Sequence, residues 1–79
     1  MTHSASPFVF WLLQQKLRNN GDIVGKLSRD VSKDPTFPLT ADRLWLFLHY
    51  YRLDPSNRES VKKAHREWRK LQIRMKELL

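Results

Sequence analysis

The sequence predicts an all-α fold: a compact bundle of four helices, with room for a fifth short turn, closed by one long C-terminal helix. Three observations predict it. Val61, Ala64, Trp68, Leu71, Met75 and Leu78 recur at spacings of 3, 4, 3, 4 and 3, which is one apolar stripe along a helix. Only two glycines are present, too few for a turn-rich β fold. Prolines fall where helices start or stop, at Ser6-Pro7, Asp34-Pro35 and Asp54-Pro55. The 79 residues allow one domain, residues 6–79, and one modest core behind a loose end at residues 1–5.

Each element has its own signal. Ser6 reads as an N-cap and Pro7 as the first helical residue, since proline has no amide proton to leave unpaired there. The first helix is predicted over residues 7–19 and closed by Asn20-Gly21, with the glycine free to turn left-handed. Phe8, Trp11 and Leu12 share one face of it, and Phe10, Leu13 and Leu17 another. A second helix is predicted over residues 22–33, with Ile23, Leu27 and Val31 repeating every four residues. Gly25 inside it costs about 1 kcal/mol against alanine, so a neighbour is expected to pass close to its backbone. Asp34-Pro35 ends the element, because the residue before proline avoids helical geometry. Phe37 then plugs one end of the core, and Asp30 and Asp34 cap helix ends or bind amides nearby. Thr40 reads as the N-cap of a third helix, with Leu44, Phe47, Leu48 and Tyr51 as its core stripe. The long helix has two competing starts. One is a capping box from Ser56 to Glu59, and the other is Asp54 with Pro55. Either way it runs about 36 Å, long for so small a domain, so its last turns are expected to project.

Three segments also carry a family resemblance. They are Phe8-x-x-Trp11-Leu12-x-x-Gln15, then Val24-Gly25-x-Leu27-Ser28-x-Asp30, then Asp34-x-x-Phe37-Pro38. Their order and spacing resemble the YozE-like family of small bacterial proteins. That family's pattern is approximately an aromatic, Trp-Leu, an Ile-Gly-x-Leu-Ala-x-Asp segment and Asp-x-x-Phe-Pro. The resemblance covers residues 8–38, with a looser echo in Val61, Ala64 and Trp68. Ser28 stands where the family usually has alanine, residues 18–23 differ, and the long basic tail goes beyond the pattern. The resemblance implies a fold similar to sterile alpha motif (SAM) domains and no catalytic activity.

Composition narrows function by exclusion. There is no cysteine, so neither a disulfide framework nor a thiolate zinc site is available. His3, His49 and His65 show no metal-ligand spacing, and no cofactor is expected. Ser28, His49 and Asp30 supply the residue types of a hydrolytic triad, but no glycine-rich elbow supports one, and an enzyme is not expected. The longest apolar run, residues 8–13, is too short to span a bilayer, and Met1-Thr2-His3-Ser4 lacks the basic start of a signal peptide. A cytoplasmic protein without a membrane partner is the expectation.

Charge points to a surface. The chain carries a net +7, unevenly placed. Residues 1–55 hold seven Lys/Arg against five Asp, +2, and residues 56–79 hold eight Lys/Arg against three Glu, +5. Lys62, Arg66, Arg69 and Lys76 lie opposite the apolar stripe, flanked by Lys63, Lys70 and Arg74. That face is either ordinary solvated surface or a contact for DNA or RNA backbone or an acidic protein. The nine aromatics offer a second surface. Phe8, Trp11, Phe37, Phe47, Tyr51 and Trp68 can be placed inside, whereas Phe10, Trp45 and Tyr50 are harder to bury. Together with Leu46 these form the candidate surface for a protein partner or a second copy, unless they are simply incompletely buried residues.

Overall fold

The computed structural model describes residues 5–78, and it is an all-α bundle of four helices. The predicted loose end lies, for residues 1–4, outside the described residues. Ala5 is not loose. It packs against the core, and the next amide, that of Ser6, donates to the Leu39 carbonyl at 3.0 Å.

Helix α1 (Pro7–Leu13) starts as its sequence dictates, with the Ser6 hydroxyl accepting from the Val9 amide at 3.4 Å. It stops six residues short of the predicted end. The chain tightens into a 3₁₀ turn (Gln14–Leu17), where Gln15 folds its side-chain amide back onto the Trp11 carbonyl at 2.9 Å. Beyond it Arg18 is extended, and the Asp22 amide closes a turn on the Asn19 carbonyl at 2.9 Å. Gly21 is not left-handed, since no described residue has positive φ. The 3₁₀ turn is held down by Arg29, which donates to the carbonyls of Lys16 and Arg18 at 3.0 and 3.2 Å.

Helix α2 (Ile23–Ser32) is capped by Asp22, whose carboxylate accepts from the Val24 and Gly25 amides at 2.9 and 3.1 Å. Those two hydrogen bonds, the Gly25 one foremost, hold the Asp22 carboxyl below its usual range despite some desolvation. The expected close approach at Gly25 is present. A Cβ there would lie 2.8 Å from the Arg18 Cβ and 3.4 Å from the Gln15 carbonyl, so the turn after α1 is what crosses it. Val24, Leu27 and Val31 are buried, but Ile23, expected beside them, faces solvent.

After α2, Asp34 organises the loop by accepting from the Thr36 amide at 3.0 Å and its hydroxyl at 2.8 Å. Helix α3 (Leu44–Tyr50) begins later than predicted. Thr40 sits in a turn, and Arg43 takes the N-cap position without a side-chain bond. Helix α4 (Pro55–Leu78) uses the Asp54-Pro55 start over the Ser56–Glu59 box, with Asp54 accepting from the Asn57 amide at 3.0 Å. Arg58 ties it to the end of α3 by donating to the Leu48 carbonyl at 2.8 Å.

The core is aromatic at its centre. Phe8 lies 5.3 Å from Phe47, which stacks on Phe37 at 5.5 Å, and Leu12, Val24, Leu27, Val31, Val61 and Ala64 close around them. Phe37 is the buried plug its sequence suggests. Each of these Phe, Leu and Val side chains contributes about 1.5–3 kcal/mol on full burial. Trp11 and Trp68, both expected inside, are half-buried. Trp68 does reach α1, edge-on to Phe8 at 5.7 Å.

Candidate nucleic-acid interface

Helix α4 is covered on one face only as far as Trp68. Every residue from 69 to 78 is exposed. Leu71 is 40% exposed, and Met75 and Leu78, in the turns expected to project, reach 60% and 86%. The cause is the early end of α1. The chain turns away at Arg18, and no later element returns over this part of α4.

Arg18 marks the boundary. Its guanidinium lies over the Trp11 ring, 5.8 Å from the centroid, and pairs with Glu67 of α4 at 3.2 Å and Asp22 at 3.5 Å. Beyond it, an open groove of about 620 Å³ runs between Trp11 and the free part of α4, lined also by Lys70, Leu71 and Arg74. His65 lies at the same boundary, 5.1 Å edge-on to Phe8 and 5.6 Å from Trp68. Burial first, and the Arg69 charge second, hold its imidazole below the usual histidine pKa.

The predicted basic residues separate into two groups. Lys62 is half-buried and pairs with Glu59 at 3.8 Å. Arg66, Arg69 and Lys76 are exposed, as are Lys63, Lys70 and Arg74, and none of these pairs with a carboxylate among the described residues. Residues 69–78 hold Arg69, Lys70, Arg74 and Lys76 against Glu77, a net +3 on about 15 Å of helix. Screening at such exposure is strong, so this charge contributes little to folding and acts mainly outward.

The predicted aromatic surface does not come together. Phe10 on α1 and Trp45 on α3 are exposed, and among the described residues neither ring contacts another aromatic. Leu46 is half-buried. Tyr50 is tied down: its hydroxyl donates to Asp34, lies 2.6 Å from the Thr36 hydroxyl, and its ring meets Phe37 edge-on at 5.5 Å. Those bonds, the Tyr50 one foremost, lower the Asp34 pKa, and the carboxylate in turn raises that of Tyr50. Tyr50 thus fastens the loop to α3, a role its position in sequence does not reveal.

Ser28, His49 and Asp30 form no joined site. The Ser28 hydroxyl is fully buried without a hydrogen-bond partner, while Asp30 and His49 are exposed. Among the described residues no group of three His, Asp or Glu side chains is placed to hold a metal ion, and no helix is long and apolar enough to cross a membrane. Comparison with protein-family models, with curated proteins and with solved structures finds no match for the chain.

Proposed function

We propose that this protein is a non-catalytic, SAM-like helical binding module that contacts nucleic-acid backbone through the basic face of α4. One observation carries the reading: the cations of residues 69–78, with Arg66 before them, stand exposed and unpaired among the described residues. An interior or bundle-stabilising role would bring them to carboxylates, as it does Arg18. Phosphates are the matching ligands, and contacts of this kind carry no sequence code. With about four phosphates engaged on duplex DNA, log affinity falls against log salt with a slope near −3.6. Reversing Arg66 and Arg69 to glutamate abolishes binding and leaves the fold intact, since both side chains face solvent. Titration of labelled duplex and single strands at several salt concentrations tests this. Absence of binding at low salt, or a double reversal that changes neither affinity nor slope, refutes it.

A second reading rests on the uncovered Leu71, Met75 and Leu78. A protein partner or a second copy that covers this stripe makes the chain an interaction adaptor. Such an interface resists salt, and sedimentation reveals the homodimer directly.

A further inference from the structure

We infer that the free end of α4 enters the major groove of B-form DNA, with Ile73 facing the groove floor. The inference rests on the backbone-binding reading above and narrows it from phosphate in general to one kind of duplex. Two features of residues 69–78 carry it.

The first is the arrangement of cations. Arg69 and Lys76 are seven residues apart, two turns, and lie on one flank. Lys70 and Arg74 are four apart and lie on the other flank. Arg66 and Ile73, again seven apart, form the line between them, opposite the apolar stripe. A helix resting on a single backbone needs its cations on one line. Two rows flanking a central line match two phosphate walls. A helix with its side chains is about 10–12 Å across, and the B-form major groove is about 12 Å wide. Every residue from 69 to 78 is exposed, and only the open groove beside Trp11 adjoins the element that enters.

The second is Ile73. It is 54% exposed and belongs to no apolar face, because the core stripe runs along the other side of α4. It lies off the core stripe and borders the open groove beside Trp11, where nothing buries it. On the floor of a major groove it meets the one apolar group a base pair presents there, the thymine methyl. A-form RNA offers no equivalent, since its major groove is too deep and narrow to read and uracil lacks the methyl. A single strand offers no second wall. Glu77, one turn beyond Ile73 on the same line, is the one carboxylate of the segment and opposes the approach of phosphate.

The test uses the full chain and fluorescence anisotropy at low salt. The probes are an alternating A·T DNA duplex, the same duplex with uracil for thymine, a single strand and an RNA duplex of equal length. The alternating sequence places thymine near Ile73 in every register. The DNA duplex is expected to bind at least tenfold tighter than the RNA duplex or the single strand. Removing the thymine methyl is expected to weaken the wild type about fourfold, the worth of one buried methylene-sized group. Ile73→Ala, exposed and so neutral for folding, is expected to bind both DNA duplexes alike and at the weaker level. Glu77→Gln is expected to tighten binding to all duplex DNA. If the strand types bind equally and thymine-to-uracil exchange leaves the wild type unchanged, groove entry is overturned while backbone binding stands. If no probe binds, both are overturned.

Discussion

Between Val61 and Trp68 the stripe of α4 is covered. Val61 and Ala64 are fully buried, and Trp68 lies against Phe8. Between Leu71 and Leu78 the same stripe, at the same spacing, is open to solvent. The two halves differ in what passes over them, and that is decided elsewhere in the chain. Helix α1 ends at Leu13, the 3₁₀ turn packs down on Gly25, and Arg18 closes the bundle against Glu67. Heptad spacing therefore specifies which side of a helix is apolar. It does not specify what covers that side.

Disrupting the covered half of α4 should have the greatest energetic consequence. Phe8 is fully buried and touches Trp11, Phe47, His65 and Trp68. Phe8→Ala should cost roughly 3–5 kcal/mol by leaving a cavity. A chain of this size holds roughly 0.05–0.15 kcal/mol per residue, so that loss takes from about a quarter to all of its stability. The paired change Leu71→Ala with Met75→Ala should stay within about 0.5 kcal/mol, as surface substitutions do. Urea unfolding of both variants measures the contrast. A loss above about 2 kcal/mol for the second variant would show the free end covered in solution and favour the protein-partner reading.

Gly25→Ala tests what sets the boundary. Alanine gains about 1 kcal/mol in helix propensity at an interior glycine. Its Cβ would lie 2.8 Å from the Arg18 Cβ, a stem atom that cannot swing aside as a side-chain tip does. Overpacking of that kind costs about 1–3 kcal/mol. The expected result is net destabilisation, with the 3₁₀ turn displaced from α2. Unfolding curves that show a stabilised variant would mean that the turn is not pressed against the helix.

The particular residues show what could be read in advance. The cap at Ser6, the Phe37 plug and the close approach at Gly25 follow from local chemistry, and the structure has them, whereas local chemistry left the start of α4 open between Asp54 and Ser56. The end of α1, the late start of α3 and the exposure of Leu71 depend on contacts between distant segments. Tyr50 looked like free surface because its partner, Asp34, is sixteen residues away and no periodicity links them. The basic side of α4 was legible because charge opposite an apolar stripe is a local pattern. Ile73 breaks that pattern, so periodicity alone gives no reason to single it out, although its place among cations is visible in the sequence.

Ser28 places a polar hydroxyl on the buried face of α2. Its hydroxyl is buried and unpartnered, whereas Ser32 and Ser60 each donate to a carbonyl four residues back. An orphaned buried polar group costs about 1–3 kcal/mol, and alanine also has the higher helix propensity. Ser28→Ala should therefore stabilise the protein by about 1 kcal/mol, read as a higher denaturation midpoint with unchanged slope. A lower midpoint would show that the hydroxyl does have a partner in solution.

The smallest expected effect places the boundary between the two halves most finely. His65 is half-buried between Phe8 and Trp68, and burial, followed by the Arg69 charge, lowers its pKa in the folded chain. Its usual value is 6.5. Between that value and the lowered one the unfolded chain binds the proton and the folded chain does not, so folding weakens as pH falls through this window. The contribution is complete above the usual value and lost once pH has passed the folded one. Asp22 and Asp34 act elsewhere. Their hydrogen bonds lower carboxyl pKa values from 3.8, so their contribution is lost only in more acidic solution. Denaturation midpoints of the wild type and His65→Gln, taken from pH 7.5 to 5, should diverge, with only the wild type losing the part due to this imidazole. His3 and His49 are present in both chains, so the difference isolates His65. Parallel curves would mean that His65 is hydrated, and that the bundle stops covering α4 one turn earlier, after Ala64.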